Sequence, residues 1–167
     1  MMRFNMYADS HVEELIKKAR EKGINVEDLI ISALSREDPR EGIRLRLALA
    51  ERLMNEAEEY LRKGNAVQAS EKAYKAAEEV VKALAEKFNL PEHQQAAREG
   101  RWHAYLLGKA SNSLANKLGN WVSDGWSNAY FLHVWGFHEA KLDVGDLTSY
   151  MNRIREMLKE ARRVLGD

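Results

Sequence analysis

Two groups of residues have the types and spacing that chemistry needs. The first is the run Arg98-Glu-Gly-Arg-Trp-His103. An imidazole titrates near pH ~6.5, so it can take or return a proton at neutral pH. A guanidinium fork grips phosphate oxygens and offsets the charge that builds on them. Together they suit metal-independent cleavage of an RNA phosphodiester, with His103 as base or acid at the 2′-hydroxyl and Arg98 on phosphate. On one continuous α-helix, a separation of five residues turns ~140° about the axis, so the two would point apart. Gly100 lies between them and allows Arg98 to precede the helix and fold back, while Arg101 offers a second cation. A symmetric dimer would also bring two such motifs together. The plainer reading makes Arg98 and Arg101 surface cations of a connector and His103 an ordinary helix residue.

The second group is His133, His138 and Glu139. All three are metal-ligand types. Paired histidine ligands on an α-helix stand four apart on one face, as in His-Glu-x-x-His. Here they stand five apart and diverge, amid Phe131, Trp135 and Phe137. They read as core histidines, each bonded to a neighbour, and no metal site is expected. The aromatic cluster Trp121 to Phe137 has the chemistry to stack nucleobases, but its helical spacing marks it as core. The polar, glycine-bearing stretch Asn112 to Asn128 suits the lining of a small-molecule cleft, yet it holds no phosphate-loop or dinucleotide pattern. Glu71, Glu78 and Glu79 fall on a helix without histidine, which removes the Glu-x-x-His pairs of a di-iron bundle. No cofactor is expected.

These residues need a scaffold, and composition bounds it. A chain of 167 residues, 45% hydrophobic and 31% charged, builds one domain with a real core. Lys plus Arg and Asp plus Glu are 26 each, a balance unlike that of proteins that coat nucleic acid indiscriminately. It leaves room for a local basic groove but lends no particular support to DNA. The lack of cysteine rules out disulfides, thiolate metal sites and cysteine nucleophiles. No apolar run approaches the ~18 residues that span a bilayer, and Met1 to Ser10 lacks the apolar core of a signal peptide. A cytoplasmic protein without a membrane partner is expected.

Helical periodicity runs nearly throughout. The spacing predicts a first helix over His11 to Lys22, with Ser10 and Glu13 as a capping box and Gly23 as its stop. A short second helix follows Asn25. The polar stretch Ser35 to Glu41 sets these two apart, giving an N-terminal helical extension over residues 1–37 and a bundle over 38–167. Asp38 and Pro39 open a third helix reaching Lys63. Asn65 and Gln68 cap a fourth that runs to Phe88. A turn this short makes the pair antiparallel, and the alanines at three- and four-residue spacing allow close approach. A short helix can follow Pro91, then one from Trp102 to Leu118. The next carries two stripes, Trp126, Tyr130, Val134, Phe137 and Phe131, Trp135, His138, Leu142, as a central helix would. The last spans Leu147 to Leu165. The expected class is all-α: an antiparallel helical bundle around a long helical hairpin, with two short N-terminal helices.

The hairpin Tyr60-Leu-Arg-Lys-Gly-Asn-Ala-Val-Gln-Ala-Ser-Glu-Lys-Ala-Tyr-Lys-Ala-Ala-Glu resembles the central segment of the archaeal PaREP family, and Leu132-His-Val-Trp-Gly-Phe-His-Glu is similar to its second recurring segment. That family is largely uncharacterised. At greater distance, the hairpin and the helices after it resemble HEPN domains, small helical bundles that are typically dimeric. Many of those are RNases, and many partner nucleotidyltransferase-like proteins in toxin–antitoxin or defence systems. Their active members carry an Arg, four to six residues, then a His, a spacing that Arg98 and His103 match. The HEPN motif usually sits late in its bundle, whereas two long helices follow it here. The hairpin also looks like one tetratricopeptide unit, present in a single copy where about three are needed for a stable array.

The resemblance implies a homodimer acting on RNA, in a toxin–antitoxin-type setting, as an endoribonuclease if Arg98 and His103 are active. The alternative is a non-catalytic interaction module that presents the hairpin and the last helix to a protein partner. An enzyme should set Arg98 and His103 together in an accessible cleft. A scaffold should expose an apolar patch and leave His103 without a cationic neighbour.

Overall fold

A computed structural model describes residues 6–166. In chain order the helices are α1 (Met6–Glu21), α2 (Val26–Glu37), α3 (Pro39–Arg62), α4 (Ala66–Lys87), α5 (Pro91–Glu99), α6 (Ala104–Leu118), α7 (Trp121–Phe131) and α8 (Val144–Leu165), with a π-helical segment, Leu132–His138, continuing α7. No strand occurs among the described residues, and the fold is an all-α bundle. The chain divides into two compact units, residues 1–42 and 43–167.

In the first unit, α1 is already helical at Met6. Ser10 is therefore an interior residue, and the capping box expected of Ser10 and Glu13 does not start this helix. Gly23 stops α1 with φ +77°, a left-handed conformation that glycine adopts without a Cβ penalty. Asn25 caps α2 by accepting from the Asp28 N–H at 3.0 Å. Asp38 closes α2 and opens α3, where its carboxylate accepts from the Arg40 and Glu41 N–H groups. Val12, Leu15, Ile24, Leu29, Ile30 and Leu34 remain exposed.

The second unit is built around α4. Asn65 caps it, accepting from the Gln68 N–H at 3.1 Å. Its buried residues run round the whole cylinder and are mostly small, including Ala69, Ala73, Ala76, Ala77, Ala83 and Ala85. The π-helical segment, α6, α7 and α8 all come close to it, because alanine lets backbones approach. The tryptophan-bearing helix α7 is packed on more than one side, as expected, against α4, α6 and α8, and α4 shares the central place with it. Tyr130 and Trp135, expected in the core, reach solvent. Leu84, Leu106, Leu107, Leu114, Leu132, Leu147, Met151 and Ile154 are fully buried. The side chains of Ala50, Met54 and Ala57 bring α3 into the same core. Ion pairs tie α3 to its neighbours, with Glu56 to Lys72 at 3.0 Å and Glu58 to Arg155 at 2.6 Å.

Arg46, Glu79, Lys82 and Glu92 are buried charged residues, and the first three meet one another. Arg46 and Lys82 both reach the Glu79 carboxylate, at 2.9 and 3.2 Å. Burying charge is costly unless opposite charges and hydrogen bonds meet it. A carboxylate with one cation on each oxygen meets that condition.

The π-helical segment places positions five apart over one another. Its pattern persists at the exit, where the Glu139 N–H donates to the Val134 carbonyl at 2.9 Å. Gly136 lies against Ser70 of α4, and a Cβ there would collide with the serine side chain. Beyond the segment, Ala140 adopts φ +51°, a strained conformation for a residue with a Cβ. Asp143 and Asp146 then form a reciprocal capping box for α8, which starts three residues before the expected Leu147.

Candidate functional site

Arg98 and His103 sit on a corner between two helices. Arg98 is exposed in the last turn of α5. Gly100 ends that helix in the left-handed conformation, with φ +76°. His103 is the N-cap of α6, and its side chain caps nothing. The motif is therefore split across a helix–turn–helix corner, and the ~140° separation of a continuous helix does not apply. The expected helix start at Trp102 moves to Ala104 accordingly.

At this corner His103 is partly buried, and its Nε2 lies 3.5 Å from the Glu99 carboxylate. Its ring stacks on Tyr105, with centroids 5.6 Å apart. Tyr105 is 57% exposed. Gln95 Nε2 donates to the Tyr105 hydroxyl and to Glu99 Oε1, both at 3.2 Å. No hydrogen bond, ion pair or ring contact joins Arg98 to His103; the partner of the imidazole is a carboxylate. Arg101 is exposed on the same turn.

The first N–H groups of a helix have no partner within it and carry the positive end of its dipole. With no side chain capping α6, that end is presented beside the His103 imidazole and the Tyr105 ring. Such a corner can hold an anion on backbone N–H groups and move a proton at His103. Gln95, Glu99 and Tyr105 were not singled out from sequence. Glu99 stands four residues before His103 and Tyr105 two after it, a signal that becomes readable only once the corner is known.

A second cluster lies between α4 and the end of α7. His133 Nδ1 donates to Glu71 Oε2 at 2.9 Å, and His133 Nε2 lies 3.1 Å from His138 Nε2. The expectation that these histidines diverge is overturned by the π-helical segment, whose wider turn stacks residues five apart. Tyr74 covers the other face of His133, stacked with centroids 4.0 Å apart. Burial pushes the Tyr74 phenol well above its usual range, with Glu78 and Glu71 adding to the effect. The Glu78 carboxyl is pushed up to about 7, chiefly by burial, with Lys82 opposing the shift, Glu79 and Glu71 adding to it and Lys75 opposing it. Glu139 is exposed and is not joined to the pair. Among the described residues no group of three or more His, Cys, Asp or Glu could hold a metal ion.

Among the described residues no helix is long and apolar enough to cross a membrane. The family model described as the archaeal PaREP1/PaREP8 family matches residues 45–158. A crystal structure of a Sulfolobus solfataricus protein is 38% identical, covering 70% of this chain and 95% of its own, with a TM-score of 0.65. A solution structure of the same structural-genomics target is 38% identical, covering 70% of this chain and 90% of its own, with a TM-score of 0.62. No curated protein matches the chain.

Proposed function

The chain belongs to the archaeal PaREP1/PaREP8 family, and we propose that it is a HEPN-like, RNA-directed protein whose reactive corner is the α5–α6 junction. One observation carries this reading: His103 stands at the uncapped start of α6, between the Glu99 carboxylate and the Tyr105 ring. In the proposed reaction, His103 takes the proton of an RNA 2′-hydroxyl. The 2′-oxygen bonds to phosphorus and the bond from phosphorus to the 5′-oxygen breaks. The proton held on His103 is then returned to that leaving oxygen. Glu99 orients the imidazole and stabilises its protonated form. Arg98 and the first N–H groups of α6 hold the phosphate. The protein is proposed to work in the cytoplasm as a homodimer, which would set two such corners in one assembly.

The test is cleavage of RNA by the purified chain in EDTA. His103→Ala should lower the rate by at least about 100-fold, in line with the weight of a general acid–base group, with the helical circular dichroism unchanged. Equal cleavage by the variant would remove His103 from the mechanism.

A second reading, a non-catalytic interaction module, draws on the two features expected of a scaffold: Val12, Leu15, Leu29, Ile30 and Leu34 of α1 and α2 are exposed, and His103 has a carboxylate rather than a cation beside it. Apolar groups gathered on a surface favour a protein partner. The absence of cleavage by folded wild-type protein would favour this reading.

A further inference from the structure

The α5–α6 corner leaves the paired histidines of the π-helical segment without a role. We propose that His133 and His138 form a binding site for a divalent late first-row transition-metal ion, of the zinc or nickel class. This site is separate from the proposed RNA chemistry.

Tautomer and distance support it. The Glu71 carboxylate only accepts hydrogen bonds, so His133 must donate from Nδ1, at 2.9 Å. A neutral His133 then carries a lone pair on Nε2. A carboxylate on the far nitrogen is the arrangement that orients metal-ligating histidines and raises their basicity. Glu71 and His133 expose only 12% and 21% of their side chains, so the inner half of the site is held in place. Tyr74, stacked on the His133 ring, fixes its plane.

The outer half is His138, whose Nε2 lies 3.1 Å from that of His133. Two nitrogens bound at ~2.0–2.1 Å to one tetrahedral or octahedral ion sit ~3–3.4 Å apart. The ring planes stand at 81° to each other, and His138 is exposed, so a small rotation of its ring converges both lone pairs on one point. The proton between the two Nε2 atoms belongs to His138; as the ion enters, it is lost to solvent while the exposed Nδ1 of that ring takes one up, so His138 stays neutral and turns an Nε2 lone pair to the ion. Imidazole pairs select zinc, nickel, cobalt and copper over magnesium and calcium. With two protein ligands, one fewer than an open zinc site usually has, water fills the remaining positions, which sets the expected affinity no tighter than micromolar.

The experiment is titration of the EDTA-treated, dialysed full chain with zinc chloride, and separately nickel chloride, by isothermal calorimetry. Nickel broadening of histidine side-chain NMR signals locates the ion. Binding of one ion per chain in the micromolar range is expected, with His133 and His138 signals broadened first. His138→Ala, an exposed change, should weaken binding at least 10-fold. Glu71→Gln should weaken it about 10-fold while leaving both ligands in place. His103→Ala should bind as wild type does, which separates this site from the α5–α6 corner. Wild type that takes up neither ion below 1 mM overturns the proposal, as does equal binding by His138→Ala.

Discussion

Glu78 shows how one side chain sets a pH response. Its carboxyl is pushed up to about 7 by burial, against an ordinary value of 4.5. Between those values the folded state binds the proton more tightly than the unfolded chain does, so stability is greatest on the acid side and falls as pH rises. Glu78→Gln, which carries no charge to bury, should flatten the fall in urea midpoint between pH 4.5 and 7. A variant with the wild-type slope would show that the carboxyl is well solvated. Glu79 has the opposite character, since it is the carboxylate that both Arg46 and Lys82 grip. Removing one member of a buried ion pair typically costs about 3–5 kcal/mol, and urea unfolding of Glu79→Ala should show a loss of that size. Ala140 carries backbone strain at φ +51°. Ala140→Gly should stabilise the fold by about 1 kcal/mol, measured the same way.

Among the elements, the π-helical segment is sensitive to small changes in volume. Gly136 leaves no room for a Cβ against Ser70, and Ser70 Oγ is itself buried without a hydrogen-bond partner. Gly136→Ala should destabilise by about 1–3 kcal/mol through overpacking, and adding Ser70→Gly should recover part of that loss. Two singles that simply add would show that the contact does not couple them. The helices themselves were readable from sequence where a cap or stop was chemically distinct: Asn25, Asp38 and Asn65 all cap as their side chains dictate. Ser10 misled because a serine before an apolar stripe looks the same whether or not the chain upstream continues the helix. The two apolar stripes of α7 made its packing on several sides legible, whereas the matching role of α4 rests on small alanines that form no conspicuous stripe. The meeting of His133 and His138 was hidden for a different reason. Nothing in residue type distinguishes a π-helical turn from an α-helical one, and on an α-helix a separation of five points two side chains apart. Arg98 and His103 could be placed near a break because of Gly100, but Glu99 and Tyr105 join the corner only through tertiary geometry.

For the whole molecule, the equal count of 26 acidic and 26 basic residues bears on how RNA would be held. Arg98 and Arg101 are the cations of the proposed corner, and single strands give a salt slope near −0.7 per phosphate neutralised. RNA affinity should therefore fall gently, with a log–log slope of about −1 to −2 in fluorescence anisotropy; a slope steeper than −4 would mean that a much broader basic face takes part. The stability of the chain is also uneven. The buried side chains of α2 are Val26, Ile31 and Ser35 alone, whereas α4 buries residues on all sides. Local opening follows buried contacts, so amides of α1 and α2 should exchange hydrogen at least about 100-fold faster than those of α4. The π-helical register has a consequence for related chains. A relative lacking one of the four residues between the two histidines would lose the wide turn and wind as an ordinary α-helix. There, a separation of four again sets two imidazoles on one face. His-x3-His relatives on an ordinary α-helix and His-x4-His relatives on a π-helical turn can thus present the same pair of nitrogens through different backbones.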